Sequence, residues 1–443
     1  MSLNSQTPNI SPLGIGLLGL GTVGSGVFKI LTQKKDHLGE IAGRPIHLRG
    51  ILVRDTGKKR EHLPPKNLMT DRAEDILANP EIDIIVEVMG GQKLAFDYIM
   101  KSISLGKHVV TANKEVMARF GTDIMDAAHK NGVKVMFEAS VCAGTPIISP
   151  LSNDLITNDI SKIHGIINGT TNYILTRMSQ DSMSFDEALS DAQRLGFAES
   201  DPTNDIEGID AAYKLAILST LAFKTRVRDS DIYREGISDL SYNDFVYAED
   251  LGYRIKLLSI ATKHNSRIQM RVHPALVPAT TMIANVNGVL NAVEIQADLA
   301  GRILFHGQGA GSLTTTSAVL SDIVAIARSS SGANHGVKFK PPADPNIDDI
   351  HSLNTKYYLR LIVNDMPGVL AQITEILGKL KISIASIIQK AAYQTNHSAE
   401  IVIMTHESNE QSMQKALKFI SDLETVHQIG SMIRVEDLST NNS

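Results

Sequence analysis

The 443-residue chain has no tryptophan, a single cysteine and few aromatic side chains, 5 % in all. With only Cys142, an internal disulfide framework and a cysteine-rich zinc site are both excluded. That scarcity suits a reducing cytoplasm, which is the location expected. No apolar run reaches the roughly eighteen residues of a membrane helix, so no membrane association is expected. The stretch MSLNSQTPNISP lacks the charged start and long apolar run of a signal peptide; short tails are expected there and at STNNS. Neither charge sign is in large excess. At a net charge of −5 a nucleic-acid partner is not expected. What is present is 43 % hydrophobic and 21 % charged residues, over a length that predicts two or three globular domains.

The first 150 or so residues alternate strand and helix patterns. Apolar runs at Gly14–Gly19, Ile46–Val53, Ile82–Val88, Lys107–Thr111 and Val133–Phe137 read as strands. Helix patterns cover Val23–Leu38 and Lys114–Lys130. Such alternation implies an α/β domain with a parallel sheet, expected over residues 13–150 with a returning helix at about 311–330. Gly19-Leu-Gly21-Thr22-Val23-Gly24 matches G-x-G-x-x-G between a strand and a helix. Its glycines allow close approach of a dinucleotide pyrophosphate, and the helix N-terminus offers N–H groups to it. Strand two ends in Arg54-Asp55, followed by Lys58, Lys59 and Arg60. The acid suits the ribose hydroxyls of NAD and the arginine the 2′-phosphate of NADP, so NADP is expected with NAD possible. Thr111-Ala112-Asn113-Lys114 follows the fourth strand, which places Lys114 to reach substrate or nicotinamide.

Residues 151–310 read as a second domain with a mixed sheet and helices. Beyond a Ser-, Gly- and Pro-rich linker at 331–354, residues 355–437 give the order βαββαβ of a ferredoxin-like module. The second domain holds the most acidic motif of the chain, GFAESDPTNDIEGIDAAYK at 196–214. Asp210 and Lys214 share one helix face four residues apart. Taken alone, such a pair is most often a solvated surface ion pair. An acid-rich loop feeding it also suits a polar pocket with a proton donor.

Six motifs stand in order: GLGTVG, TANK, EASVCAGTPII, NGTTNYIL, GFAESDPTNDIEGIDAAYK and GQGAGSLTTTSAVLSDI. Together they make residues 14–330 resemble homoserine dehydrogenase in its monofunctional form. Asn364-Asp365-Met366-Pro367-Gly368-Val369-Leu370 makes the C-terminal module resemble an ACT domain. The resemblance implies reversible reduction of L-aspartate 4-semialdehyde to L-homoserine with NADPH or NADH, in threonine and methionine biosynthesis. It implies Lys214 as proton donor and acceptor and Lys114 in cofactor and substrate contact and in catalysis. Glu199 and Asp210 are implied for the amino-acid substrate, with Thr171 a candidate for its carboxylate. Gly196 and Gly309, the latter in the turn 307–311, are implied beside the cofactor, with Arg54 and Thr111. Glu138, Val141, Ala143 and Thr145 match a monovalent-cation site, expected to hold sodium; Cys142, Ala143 and Thr145 depart from the usual residues there. The ACT segment 364–370 implies an amino-acid effector, L-threonine, and the whole implies a homodimer or homotetramer.

Overall fold

The computed structural model describes residues 11–60, 64–329, 345–389 and 398–438. Residues 331–344 of the expected linker lie outside them. The chain forms two compact units: Met1–Thr157 with Ala216–Arg228 and Gly307–Asp344, and Asn158–Leu215 with Asp229–His306 and Pro345–Ser443.

In the first unit the strands are β1 (Leu13–Leu18), β2 (Ile46–Leu52), β3 (Met69–Thr70), β4 (Ile84–Glu87), β5 (His108–Thr111) and β6 (Val135–Met136). They form a six-stranded parallel sheet in the order β3-β2-β1-β4-β5-β6. All six β1 residues are buried, as expected of a strand covered on both faces. The helices are α1 (Thr22–Gln33), α2 (Lys35–Ala42), α3 (Ala73–Leu77), α4 (Lys93–Ser104) and α5 (Lys114–Lys130). The pattern read as one helix from Val23 to Leu38 is two, because Lys34 leaves the helical region (φ −111°, ψ 24°). After this break Leu38 and Ala42 join the core formed by Leu13, Ile15 and Val27. The helix Ser312–Ser329 brings Val319, Ile323 and Ile326 to the same core. Strand order reverses between β1 and β4, so a crevice opens outside their carboxyl ends.

In the second unit β7 (Ile160–Ile166) leads into α6 (Gly169–Gln180), α7 (Phe185–Arg194), α8 (Thr203–Ile206), α9 (Ile209–Phe223, of which residues through Leu215 belong to this unit) and α10 (Tyr242–Asp250). Four strands follow: β8 (Tyr253–His264), β9 (Arg267–Pro278), β10 (Leu290–Ala297) and β11 (Gly301–Gln308). The C-terminal module is β12 (Asn354–Asn364), α11 (Val369–Lys379), β13 (Ile384–Gln389), β14 (Ser398–Thr405), α12 (Glu410–Ser421) and β15 (Val426–Val435), the βαββαβ order read from the sequence. Its sheet does not stand apart. β15 pairs parallel with β9 at Ala275–Arg434 and Leu276–Val435. The resulting order is β11-β10-β7-β8-β9-β15-β12-β14-β13.

Buried ions reinforce that seam. Arg360 on β12 donates to Asp244 at 2.7 Å, to Glu400 at 3.0 Å and to Ser241 Oγ at 2.8 Å. Asp244 and Ser241 form the capping box of α10. Arg434 on β15 reaches Glu410 and, at 2.8 Å, Glu235. His164 on β7 sits 3.0 Å from Glu436, whose other oxygen accepts from Arg271, and 3.7 Å from Glu294. Burial pulls the His164 pKa down, but hydrogen bonds and charge from Glu294 and Glu436 outweigh it, so the net shift is upward. A histidine held more basic in the fold contributes stability that is full below its ordinary value and is lost as pH rises through the raised one. Glu436 and Glu294 are held below the usual range, burial being outweighed by Arg271 and His164 for the first and by His164 and Arg302 for the second. Their contribution is lost on the acid side instead. Thermal melting is therefore expected at a lower temperature at pH about 9 than at pH about 6, and His164→Gln should flatten that alkaline decline.

Candidate active site

The crevice of the first unit begins at Gly19, which adopts φ +104°. A Cβ at Gly24 would lie 2.1 Å from the Gly19 carbonyl oxygen, whereas one at Gly21 would meet nothing within 4 Å. The two glycines therefore serve different ends: Gly24 lets α1 press against the turn, and Gly21 keeps space open in front of the α1 N–H groups. Gly24→Ala should distort the turn and abolish cofactor binding. Gly21→Ala should leave the melting temperature unchanged and raise the KM for the nicotinamide nucleotide. Titrations of the two variants with NADPH, followed by fluorescence, check this. Thr22 and Val23 open α1 behind these glycines. Beyond β2, Arg54 and Asp55 are exposed; Asp55 accepts the Gly57 N–H at 2.7 Å, and Arg60 donates to the Asp55 carbonyl at 2.8 Å.

At the carboxyl ends of β4 and β5 lies a residue the sequence reading passed over. Glu87 is fully buried and accepts the Thr111 hydroxyl at 2.7 Å and the Met89 N–H at 2.8 Å. Burial raises its pKa despite these hydrogen bonds. Asn113 caps α5 by accepting from Val116 N, and donates to the Gly91 carbonyl at 2.7 Å. Thr111 and Asn113 thus fix the turn that presents Lys114 as the first residue of α5.

The segment 138–145 is built around Glu138. Its carboxylate accepts three main-chain N–H groups, from Ile147, Ile148 and Ser149, at 2.7–2.9 Å. The Glu138 N–H in turn donates to Asp322, whose carboxyl burial pushes up to about 8. Cys142 is buried at φ +48°, and its carbonyl accepts from Thr145 N. Thr145 is 3 % exposed, and its hydroxyl donates to the Gln308 carbonyl at 3.4 Å. A Cβ at Gly144 would lie 2.4 Å from that same carbonyl. The unusual threonine thus ties the 138–145 segment to the turn containing Gly307 and Gly309. Glu138, Val141, Ala143 and Thr145, the residues expected to hold a monovalent cation, all lie on this segment.

In the second unit the Asp210–Lys214 pair is not a surface pair. The side chains are 3 % and 12 % exposed, with Lys214 Nζ 2.7 Å from Asp210 Oδ2. Lys214 also donates to the Ile167 carbonyl at 2.8 Å. Asn168 donates its amide to Asp210 Oδ2 at 2.9 Å and to Asp205 Oδ1 at 2.7 Å. Asp205 therefore belongs to this cluster. Thr171 is 1 % exposed, and its N–H and hydroxyl are both turned to Asn168. Thr170 holds the other flank, donating to the Phe197 carbonyl at 2.7 Å. Gly196 is exposed at φ +78°, and Glu199 lies exposed on the loop held by Gln193, which donates to the Glu199 carbonyl. Asp201 accepts from Thr203, as a turn residue does.

In the C-terminal module Gly368 adopts φ +92° directly before Val369, the first residue of α11. Residues 365–368 form the exposed turn out of β12, whose last residue, Asn364, is half-buried. Among the described residues no helix is long and apolar enough to cross a membrane.

Family models match three stretches. These are the homoserine dehydrogenase NAD-binding domain at residues 19–138, homoserine dehydrogenase at 146–324 and an ACT domain at 357–424. A homoserine dehydrogenase of Neisseria gonorrhoeae is 42 % identical over 435 residues, covering 97 % of this chain and 100 % of that one. The crystal structure of a homoserine dehydrogenase from Thiobacillus denitrificans superposes with a TM-score of 0.89 at 43 % identity, covering 97 % of this chain and 99 % of that one. A hyperthermophilic archaeal homoserine dehydrogenase solved in complex with NADPH gives 0.61 at 26 % identity, covering 71 % of this chain and 98 % of that one.

Proposed function

Given that the chain belongs to the homoserine dehydrogenase family and is an NAD(P)-dependent oxidoreductase, we propose that Lys214 is the proton donor and acceptor that interconverts L-aspartate 4-semialdehyde and L-homoserine. The observation that carries this reading is the half-buried ammonium itself, held at 2.7–2.8 Å by one carboxylate and one carbonyl. Those two contacts leave a third N–H direction to an incoming oxygen. The bound nicotinamide supplies or accepts the hydride. Reduction places charge on the aldehyde oxygen; an ammonium within hydrogen-bond reach stabilises that charge and delivers the proton. In the reverse direction the same nitrogen receives the hydroxyl proton. Asp210 orients the ammonium. Glu199 takes the substrate ammonium with Asp210, and Lys114 contacts cofactor and substrate. Thr171 shapes the turn proposed to receive the substrate carboxylate, and Gly196 and Gly309 are proposed cofactor contacts. The test is NADP reduction with L-homoserine against other hydroxy amino acids; absence of turnover with homoserine overturns the reading.

NADP is the expected nucleotide, supported by the exposed Arg54 with the cations of residues 58–60 and by the NADPH held by the archaeal relative. Sodium is the expected occupant of the site at Glu138, Val141, Ala143 and Thr145. The ACT module is proposed to bind L-threonine at residues 364–370, from Asn364 through Asp365 and Pro367 to Leu370, and to lower activity as that product accumulates. A homodimer or homotetramer is the expected assembly. Initial rates measured with and without threonine test the effector; rates indifferent to threonine overturn it.

A further inference from the structure

The cluster around Lys214 is organised from the junction of β7 and α6, and the residue at that junction has no part in the proton transfer described above. Asn168 is 5 % exposed. Its carbonyl oxygen Oδ1 accepts the Thr171 N–H at 2.9 Å and the Thr171 hydroxyl at 3.0 Å, which caps α6. Its amide nitrogen uses both N–H bonds on acids, Asp205 on α8 and Asp210 on α9. The residue before it, Ile167, supplies the carbonyl that holds Lys214. Two adjacent residues therefore fix both ends of the Asp210–Lys214 pair.

We propose that Asn168 is the positioning residue for the proton-transferring lysine: its amide holds Asp205 and Asp210 together and keeps Asp210 Oδ2 aimed at Lys214. This inference rests on the role assigned to Lys214. The two carboxylate oxygens bound to one amide stand within roughly 5 Å of each other, set by the spread of its two N–H bonds. Two anions at that separation repel in a buried site. A neutral double donor between them satisfies an oxygen of each and removes the reason for Asp210 to turn away. Lys214 then has a single orientation, defined by Asp210 Oδ2 on one side and the Ile167 carbonyl on the other. An aspartate at this position could cap α6 equally well but could not donate. A serine could cap but could not span two acids.

Asn168→Ser keeps the helix cap, since a serine oxygen accepts the same N–H. It is expected to lower kcat by about 10- to 100-fold, in line with the effect of small misplacements of a reacting group. The KM for NADP and the melting temperature should change little. Asn168→Asp combined with Asp205→Asn discriminates further. The swap preserves the cap and the hydrogen bond between positions 168 and 205 with its direction reversed, but sets a carboxylate against Asp210. If Asn168 only braces the loop, the swap restores wild-type kcat. If it positions Asp210, kcat stays low while the fold is retained. Wild-type kcat in Asn168→Ser, or full rescue by the swap, overturns the proposal. Lys214→Met measured alongside keeps the two readings apart: normal turnover there would remove the lysine role, whatever the Asn168 variants do.

Discussion

Replacing Lys214 with methionine is expected to lower homoserine oxidation by at least about 10²–10⁴-fold, the range contributed by a positioned acid or base. Cofactor binding should persist, because the glycine turn of the first unit does not include this residue. Methionine fills much of the volume of the lysine stem, so the loss is one of charge and proton. That loss also takes from Asp210, whose side chain is only 3 % exposed, the cation that balances its charge. Removing one member of a buried ion pair costs about 3–5 kcal/mol, mostly because the remaining charge is no longer balanced. Lys214→Met alone should therefore both melt earlier and fail to turn over. Lys214→Met with Asp210→Asn removes the unbalanced charge while keeping an oxygen that can accept from Asn168. That pair should recover most of the stability and none of the activity. Thermal melts and initial rates on the two proteins separate chemistry from folding; recovered activity in the double variant would sink the lysine role.

Arg360→Leu is expected to destabilise the second unit by about 3–5 kcal/mol, the scale for breaking a buried ion pair. The arginine is 5 % exposed and Asp244 is fully buried. Without the guanidinium, Asp244 and Glu400 lose their shared cation, and the α10 capping box loses the charge that neutralises it. Asp244→Asn and Glu400→Gln added to Arg360→Leu should restore part of the loss by discharging both acids. Urea denaturation of the single and triple variants is the check; a single-variant loss below about 1 kcal/mol, as surface pairs give, would show the cluster to be dispensable. The same geometry decides how effector binding must be probed. Cutting the chain before Pro345 would expose the β9 edge and leave Glu235, Asp244 and Arg271 without the partners they have in residues 345–438. Loss of threonine response in such a truncation would report damage to the fold. Point changes in residues 364–368 leave the seam intact and are the informative ones.

Features written in local pattern could be read from the chain. The glycine turn, α5 from Lys114 to Lys130 and the βαββαβ order of the C-terminal module depend on spacing within a few residues, and they stand as read. β8 and β10 escaped, because their identity as strands comes from the neighbours they pair with, β9 and β7. Burial escaped most. Asp210 and Lys214 have the same spacing as any exposed helix pair, and only the packing around α9 makes them interior. Glu87 did leave a signal: a carboxylate inside the apolar run IDIIVEV must find partners, and it finds Thr111 and the Met89 N–H. Asn168 left one too, standing directly before Gly-Thr-Thr as a helix cap does. That it also gathers two acids from residues 205 and 210 is a matter of tertiary folding, which no local rule reaches.

The helix Ser312–Ser329 has a consequence for how this protein is made. Its Val319, Ile323 and Ile326 complete the core begun by Leu13, Ile15 and Val27. About 175 residues separate Met136, the end of the parallel sheet, from Ser312. At ~5–20 residues per second a ribosome needs roughly 10–35 s to cross that interval. During that time the nascent nucleotide-binding sheet, packed by α1 and α2, waits with the part of its apolar core that Val319, Ile323 and Ile326 fill still open, while the central domain emerges behind it. The order of birth is thus nested, the first domain to begin being closed only after much of the second has been made, and a chaperone that shields that face has a defined window in which to act.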